Sequence, residues 1–329
     1  MHWAVGSGGS TREPASRCLQ RSTRFDAVCC RRGNDAGDHR VVRLLGGGGL
    51  RCRIDGALAL RACKSGLVTA LLTWVLQANL RDQPFLGRLQ AALDEIGEDW
   101  HAVDVMPFVP ELPTLPFTAE ARAIVCYGPS FVPRVAAAPA WRPGIFFDAA
   151  SFRWSAMAAA WGDLMFSPDG AVVTVSDALE ALAREPLFVR PDEDSKSFDG
   201  GVVADAATLR AQLGATPLET PAIVARARPV DAEWRCFVVN SRVIDSSEYR
   251  RAGRSSLYRG APPRVIELAE RAAARWVPSD VTCIDIASSG DHFGIVEANC
   301  FNAARFYACD PATVVASVTR HVRSSFERR

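Results

Sequence analysis

The sequence predicts an α+β fold that is preceded by a small parallel α/β unit. In the first part, residues 73–128 alternate strand, helix and strand, which is typical of parallel α/β structure. In the second part, residues 222–302 contain apolar strands that pair across short turns, and a helix separates these hairpins. We therefore divide the chain into two domains, 67–165 and 166–329, behind an N-terminal stretch of different composition.

The composition is that of a globular protein with enough apolar material for a sizeable core. Of the 329 residues, 48% are hydrophobic and 23% are charged, and the formal net charge is +1. Such a balanced charge gives no indication of nucleic-acid binding. No apolar run reaches the length of a membrane span, and Leu67–Leu76 covers about half of one. We therefore expect neither nucleic acid nor a membrane as a partner.

Residues 1–66 differ from the rest of the chain in charge and in pattern. They hold 12 Lys and Arg against 5 Asp and Glu, a balance of +7, whereas the remainder holds 26 against 32, a balance of −6. They include the run Gly46–Gly49 and show no sustained helical or strand period. We interpret them as a disordered extension, or as a stretch upstream of a natural start near Val68. An Arg-rich, acid-poor presequence is the alternative.

The cysteines indicate a reducing compartment. The sequence contains ten, and none forms a CxxC pair, which disfavours a zinc ribbon. Those of the second part lie mostly in apolar strands, so we predict buried free thiols and a cytoplasmic location. They are Cys126, Cys236, Cys283, Cys300 and Cys309.

Helical and strand periods place the elements of the first domain. Trp154, Met157 and Trp161 recur at helical spacing and are expected in the core rather than at a ligand. The predicted elements in order are strand 73–77, helix 84–96, strands 101–108, 122–128 and 141–148, and helix 151–164.

The second domain is predicted to mix antiparallel hairpins with packed helices. Ser176 is expected to cap its first helix, which runs to Arg184, and Asp310 is expected to cap its last. The other predicted elements are strands 172–175, 187–191 and 222–227, helices 205–213 and 263–275, and hairpins 233–239 with 243–250 and 281–287 with 293–302.

The last hairpin carries a set of candidate metal ligands. Asp285 lies among apolar residues on the first strand, and Glu297 and Asn299 are two residues apart on the second, so their side chains leave the same face. A carboxylate that interrupts a core strand needs a partner, because burying it unpaired is costly. Carboxylate and amide oxygens suit Mg²⁺ that is shared with substrate phosphates. The alternative is a hairpin whose carboxylates face solvent or pair with arginines.

A second group of residues can hold phosphates. Arg190 ends an apolar strand, and the loop that follows offers Lys196, Gly200 and Gly201. A cation beside a Gly-containing loop is typical of phosphate binding. An ordinary surface loop is the alternative.

A third group lies on the first hairpin of the second domain. Glu233 and Arg235 are two residues apart on one strand and therefore share a face, while Arg250 ends the partner strand. Arginines opposite a metal-binding carboxylate pair would bracket a triphosphate. The alternative is a cross-strand ion pair between Glu233 and an arginine, worth about 0–1 kcal/mol if it is exposed.

Other reaction classes find no support in the sequence. There is no GxSxG motif, and the five histidines show no triad-like context. Neither GxGxxG nor GxxxxGK[ST] is present, which disfavours a Rossmann or a P-loop site.

The order of these segments resembles the ATP-grasp superfamily, and most closely a bacterial and phage branch of it. The resemblance covers about residues 70–320. It is carried by the nucleotide-binding strand and loop 187–192 with Lys196, Phe198, Gly200 and Gly201, the central strand 233–239, the metal-binding strands 284–286 and 296–302, the stretch 306–310, and the upstream stretches 74–77, 107–108 and 127–128.

The resemblance implies two α+β subdomains that enclose ATP, preceded by a pre-ATP-grasp α/β domain. Asp285, Glu297 and Asn299 would hold Mg²⁺ on the phosphates. Phosphate and nucleotide contacts would come from Arg190, Lys196, Gly200, Gly201 and Glu233, and the catalytic cations would be Arg235 and Arg250. The strand 222–227 would place backbone groups against adenine. Many members have Lys where Arg190 stands, and the two side chains are not interchangeable.

The implied activity is that of an ADP-forming ligase. A carboxylate on a small molecule or a peptide would attack the γ-phosphate, and an amine or a thiol would then displace phosphate from the acyl phosphate. Two alternatives remain open. One is a non-catalytic nucleotide-binding protein of the same fold, and the other is a ligase that modifies a protein or a peptide.

Overall fold

The computed structural model describes residues 71–79, 83–106, 109–119, 122–194 and 197–327. The stretch 1–66, which we interpret as an extension, lies outside these residues. The described part holds three sheets, one parallel and two antiparallel. The parallel sheet precedes residue 165 and the antiparallel sheets follow it, so the two-domain division is compatible with the sheets but stays a prediction.

The parallel sheet has the strand order β2-β1-β3-β4. Its central strand β1 is buried along its whole length, as expected for a parallel strand that is covered on both faces. Its strands are β1 (Leu72–Gln77), β2 (Asp99–Val103), β3 (Ala123–Tyr127) and β4 (Pro143–Gly144). Its helices are α1 (Gln83–Glu95), α2 (Val132–Val135) and α3 (Trp154–Trp161).

The strand expected over 141–148 is wrong in length, because only the pair Pro143–Gly144 joins the sheet. Proline lacks the N–H that a ladder needs, and Gly144 adopts φ of 64°, which turns the chain out of the extended region. The sequence pattern showed the apolar residues but not this break. The helix over 151–164 is also shorter, since its last three residues form a 3₁₀ turn, Gly162–Leu164.

The smaller antiparallel sheet has the order β5-β8-β6-β7 and packs on two helices. Its strands are β5 (Ala171–Thr174), β6 (Leu187–Pro191), β7 (Gly201–Val203) and β8 (Pro221–Arg226), and its helices are α4 (Val175–Ala181) and α5 (Ala206–Leu213).

The first of these helices begins two residues earlier than the sequence predicts. Thr174 rather than Ser176 caps α4, because Thr174 Oγ1 accepts from the Asp177 N–H while the Asp177 carboxylate accepts from the Thr174 N–H. Asp205 caps α5 by accepting from the Thr208 N–H.

The larger antiparallel sheet has the order β11-β10-β9-β12-β13, and both of its faces are covered. On one face Phe237 and Val239 share a core with the parallel sheet and the C-terminal helix. On the other face Trp234 and Cys236 pack with α3 and α6. The strands are β9 (Ala232–Val239), β10 (Arg242–Arg251), β11 (Arg254–Arg259), β12 (Val281–Ser289) and β13 (His292–Cys300), and the helices are α6 (Pro263–Arg275) and α7 (Pro311–Glu327).

Two details of this sheet differ from the prediction. Strand β11 was not expected, and it follows β10 through a tight turn in which Ala252 and Gly253 have φ of 46° and 74°. His292 belongs to β13, so the turn between β12 and β13 is the pair Gly290–Asp291. Asp310 caps α7 as predicted, since its carboxylate accepts from the Thr313 N–H. Within the residues that are described, no helix is long and apolar enough to cross a membrane.

Candidate active site

A cavity of about 640 Å³ lies between the two antiparallel sheets. Strands β6 and β8 contribute to it from the smaller sheet, and β9, β12 and β13 from the larger. Nine of the ten predicted site residues line this cavity, and the tenth, Lys196, lies outside the described residues. The nine are Arg190, Gly200, Gly201, Glu233, Arg235, Arg250, Asp285, Glu297 and Asn299.

On the wall formed by the smaller sheet, the two glycines have different roles. A Cβ on Gly200 would lie 2.9 Å from Arg190 Cβ, a distance that side-chain carbons do not adopt. A Cβ on Gly201 would meet nothing within 4 Å, and this residue begins β7 opposite Val189. Gly200 therefore lets the loop pass close to β6 at the position of Arg190.

Arg190 reaches across the cavity to the larger sheet. Its Nη1 lies 2.7 Å from Glu297 Oε2, and the two side chains are 12% and 18% exposed. The ion pair thus joins a candidate phosphate ligand to a candidate metal ligand while both are largely shielded from water.

Asp285 pairs with a different arginine at the base of the cavity. The residue lies opposite Arg235 in the β9–β12 register, and both carboxylate oxygens accept from this guanidinium at 2.8 and 2.7 Å. Both side chains are buried. Burial raises the pKa of the Asp285 carboxyl, and the charge of Arg235 opposes that rise.

Asn299 joins the two carboxylates into one cluster. Its Nδ2 donates to Asp285 Oδ2 at 3.0 Å and to Glu297 Oε1 at 3.1 Å. Asp285 and Glu297 are directly opposite in the β12–β13 register, so they share a face of the sheet. The three candidate metal ligands are therefore adjacent, as their spacing in the sequence predicts.

The chemistry of this cluster fits Mg²⁺ better than a metal held by protein alone. Among the residues that the structure describes, no group of three or more His, Cys, Asp and Glu could hold an ion. Two carboxylates and one amide provide only hard oxygen donors, and Mg²⁺ is typically bound through one or two carboxylates together with substrate phosphates. Asp285, Glu297 and Asn299 would hold it, once Glu297 exchanges Arg190 for the metal.

Glu233 and Arg250 form the cross-strand ion pair that the sequence left open as the simpler interpretation. They are opposite each other in the β9–β10 register, with 3.1 Å between Glu233 Oε1 and Arg250 Nη1. The Arg250 side chain is 52% exposed, so the pair contributes little stability and can separate when a ligand arrives.

Two tyrosines at the site were not found from the sequence. Tyr249 and Tyr307 stack with ring centroids 4.7 Å apart, and the Arg235 guanidinium lies 5.1 Å from the Tyr307 ring. Tyr307 has φ of 51°, a conformation that is uncommon and costly for a residue with a side chain. Although Tyr307 falls within the stretch 306–310, no local pattern distinguishes it from its neighbours.

The cavity also has an apolar part and a further cation. Phe188, Ile223, Ala225 and Ile295 provide apolar surface, so strand β8 does line the cavity as the resemblance implies. Arg228, which was not singled out, lies at this end, where its Nη2 pairs with Asp169 Oδ1 at 2.8 Å. Its Nε is buried without a hydrogen-bond partner among the described residues.

A second cavity of about 890 Å³ adjoins the first. The two share Glu193, Arg235, Asn299 and Tyr307. The rest of its lining comes from the parallel-sheet domain, from Arg153 and Asp194, and from the segment after β13; these residues are Pro129, Val132, Pro133, Phe147, Ala149, Arg153, Asp194, Cys300, Ala303, Ala304 and Arg305.

Comparison with known proteins identifies the domain that carries the first cavity. Residues 171–317 match a family described as an ATP-grasp domain, the second family of its clade. These residues contain both antiparallel sheets and all the predicted site residues. No functionally curated protein is similar enough in sequence to count as a match.

Solved structures with the same fold include three ATP-grasp proteins. The RimK domain protein ATP-grasp from Sphaerobacter thermophilus is 17% identical, with a TM-score of 0.55 over 76% of this chain and 99% of that one. The ATP-grasp ligase PsnB, complexed with precursor peptide PsnA2 and AMPPNP, is 14% identical, with a TM-score of 0.51 over 78% and 98%. D-alanyl-alanine synthetase A from Vibrio cholerae is 14% identical, with a TM-score of 0.52 over 78% and 100%.

These matches confirm the predicted fold class, α+β with a parallel sheet in the N-terminal part. The matched domain and the fold over three quarters of the chain agree with the order of motifs in the sequence. The chain therefore belongs to the ATP-grasp superfamily, with its ATP-grasp domain at residues 171–317.

Proposed function

We propose that this protein is an ATP- and Mg²⁺-dependent carboxylate–amine or carboxylate–thiol ligase that forms ADP through an acyl phosphate. The observation that carries the proposal is the cluster of Asp285, Glu297 and Asn299 facing Arg190 across one cavity. Oxygen ligands on one wall and a cation on the other are what a bound Mg²⁺–triphosphate needs.

Each group has a role in this reaction. Arg190 moves from Glu297 to the phosphates, and Asp285, Glu297 and Asn299 hold the metal, which when bound supplies Lewis-acid stabilisation of the phosphate oxygens. The substrate carboxylate attacks the γ-phosphorus while the bond to the bridging oxygen breaks and ADP leaves. The amine or thiol then attacks the acyl carbon, phosphate leaves, and the proton of the nucleophile passes to solvent.

Structural neighbours support a ligase with either a small or a peptide substrate. One is a synthetase of D-alanyl-alanine, and PsnB has been solved with a precursor peptide and AMPPNP, and also with Mg and ADP. The cavity of about 640 Å³ is within the range of ordinary ligand pockets, which is roughly 300–1,000 Å³.

A protein that only binds a nucleotide is the second candidate. It would not need three adjacent metal ligands, and the hydrogen bonds of Asn299 to both carboxylates favour a working metal site over this alternative. A ligase for proteins or peptides is the third, and the adjoining cavity of about 890 Å³ leaves room for part of a chain.

We also propose that the protein works in a reducing compartment such as the cytoplasm. The five cysteines among the described residues are all free and buried, as the sequence predicts. Burial raises the pKa of Cys300 and Cys309 to about 12, so these thiols stay protonated and unreactive.

The test is a thermal shift with Mg²⁺ and ATP together, each alone, and GTP in place of ATP. A ligand that binds only the folded state stabilises it by about 2.7 kcal/mol at a hundred times its dissociation constant. We expect a shift that needs both Mg²⁺ and ATP, followed by ADP release when an acid and an amine are added. If neither ATP nor Mg²⁺ shifts the melting temperature in any combination, the proposed function is wrong.

A further inference from the structure

The second cavity opens onto the candidate metal cluster. Asn299 and Arg235 line both cavities, and Tyr307 stands between them with its ring against Arg235. A molecule in the second cavity can therefore bring one end to the place where the phosphates and the metal would meet. The remainder of that molecule would lie against the second cavity's own lining.

A cation lies close to this boundary. The exposed side chain of Arg305 has no ion-pair partner among the described residues, although its carbonyl accepts from Arg235 Nη1 at 3.3 Å. The backbone of Arg305 is thus held in place while its guanidinium is available to a ligand. A guanidinium matches the planar, bidentate geometry of a carboxylate.

Acidic groups lie in the same lining. Glu193 and Asp194 contribute carboxylates, and Glu193 reaches the boundary, since it lines both cavities. The link between Glu193 and Arg153 is long, at 3.4 Å, and both side chains are about half exposed, so it is easily exchanged for a ligand amine.

The third part of the lining is apolar. Val132 and Pro133 from α2, and Phe147 from the segment after β4, present hydrocarbon surface to the cavity. Both segments belong to the parallel-sheet domain, whereas the charged residues Glu193 and Arg305 come from the ATP-grasp domain. The lining therefore presents a cation, acids and an apolar wall to one ligand.

The two sides of this cavity are joined rigidly by Asn302. Its side chain is fully buried, accepts from the Phe146 N–H at 2.7 Å and donates to the carbonyls of Cys126 and Gly144 at 2.6 and 3.2 Å. The segment that carries Arg305 is thereby fixed to the segment that carries Phe147. Such a fixed spacing suits a ligand of defined size.

We propose that the second cavity binds the acid substrate and that this acid is an amino-acid zwitterion with an apolar side chain, free or at the end of a short peptide. Arg305 receives its carboxylate near Asn299, the acidic residues receive its amino group, and the apolar wall receives its side chain. This inference rests on the proposed ligase function and names its substrate class.

The first experiment measures ligand binding to the full chain loaded with Mg²⁺ and AMP-PNP, by calorimetry. The ligands are leucine, leucyl-leucine, 4-methylpentanoic acid, which lacks the amine, and isopentylamine, which lacks the carboxylate. We expect leucine or the dipeptide to bind at least roughly tenfold more tightly than either single-charge analogue, because each loses a charge-assisted hydrogen bond. The two zwitterions distinguish a free amino acid from a peptide end.

The second experiment compares Arg305→Ala with Arg320→Ala, which removes an exposed cation of α7 far from either lining. We expect Arg305→Ala to weaken zwitterion binding roughly tenfold or more and to leave AMP-PNP affinity unchanged, while Arg320→Ala alters neither. A melting temperature equal to that of the natural chain would show that Arg305→Ala is folded.

The opposite results overturn the inference. It fails if a single-charge analogue binds as tightly as the zwitterions, if Arg305→Ala binds them unchanged, or if no zwitterion binds while AMP-PNP does. In that last case the proposed nucleotide site still stands. If AMP-PNP and Mg²⁺ do not bind at all, the proposed function itself is wrong and the inference falls with it.

Discussion

Arg190 and Glu297 form an ion pair across the candidate nucleotide cavity, with 2.7 Å between Nη1 and Oε2. The two residues are 107 positions apart and belong to different sheets, β6 and β13. In the proposed reaction each has another partner, the phosphates for Arg190 and the metal for Glu297. Mg²⁺ and nucleotide must therefore separate this pair together.

We expect Mg²⁺ alone to bind weakly and ATP to raise its affinity roughly tenfold or more, because ATP gives Arg190 an alternative partner. Mn²⁺ can replace Mg²⁺ for detection by electron paramagnetic resonance, with and without AMP-PNP. Equal Mn²⁺ affinity in both conditions would show that Arg190 does not compete for Glu297.

Replacing Glu297 by Gln should abolish turnover without unfolding the protein. The substitution keeps the shape but removes the charge that holds the metal, so we expect ADP formation to fall on the order of a hundredfold or more. The melting temperature is expected to change little, since the side chain lies at the cavity surface. Normal ATP consumption by this variant would refute the metal assignment.

Replacing Gly200 by Ala should weaken nucleotide binding, and Gly201→Ala serves as the matched control in the same loop. A Cβ at residue 200 would lie 2.9 Å from Arg190 Cβ, whereas one at residue 201 would meet nothing within 4 Å. Overpacking of this kind costs about 1–3 kcal/mol, which here displaces the loop or Arg190. Isothermal calorimetry with AMP-PNP measures the difference, and equal affinities for the two variants would count against the close approach.

The two asparagines at the end of β13 should separate stability from activity. Replacing Asn302 by Leu leaves the Phe146 N–H and the carbonyls of Cys126 and Gly144 buried without their partner, so we expect a loss of at least about 3 kcal/mol in the free energy of unfolding. Asn299→Ala should reduce turnover with little change in stability. Urea denaturation and ADP release measure the two effects, and a stable Asn302→Leu variant would contradict the role given to this side chain.

Asp310 should contribute stability that depends on pH. Hydrogen bonds from Thr313 lower the pKa of its carboxyl below the unfolded value of about 3.9. A carboxyl with a lowered folded pKa contributes stability that is fully present above the unfolded pKa and is lost as pH falls through the folded pKa. We therefore expect Asp310→Ala to lose about 1 kcal/mol at neutral pH and to lose less stability than the natural chain when the pH is lowered from about 5 to 2. Parallel slopes for the two proteins would exclude this effect.

The candidate metal cluster is the part of the site that the sequence predicts best. Glu297 and Asn299 share a face because side chains alternate along a strand, and Asp285 joins them because the hairpin turn sets which residues are opposite. Both rules act within a few residues, so they operate before any long-range packing is known. For the same reason the helix over 263–275 and the strand over 187–191 agree with their predicted bounds.

Errors in the elements occur where a single local detail overrides the pattern. The strand at 141–148 is interrupted by Pro143 and by the positive φ of Gly144. The cap of α4 moves to Thr174, because its hydrogen bonds with Asp177 are reciprocal. Apolar spacing does not show either feature.

The sequence by itself determined the order of the motifs, the faces on which their side chains lie and hence the ATP-grasp fold. The tertiary structure alone decided the partner of each charge: Arg190 with Glu297, Arg235 with Asp285, and Arg250 with Glu233. It also placed Tyr307 between the two cavities. The physical reason is range, because alternation along a strand is a property of adjacent residues, whereas the choice among several arginines depends on how separate sheets pack.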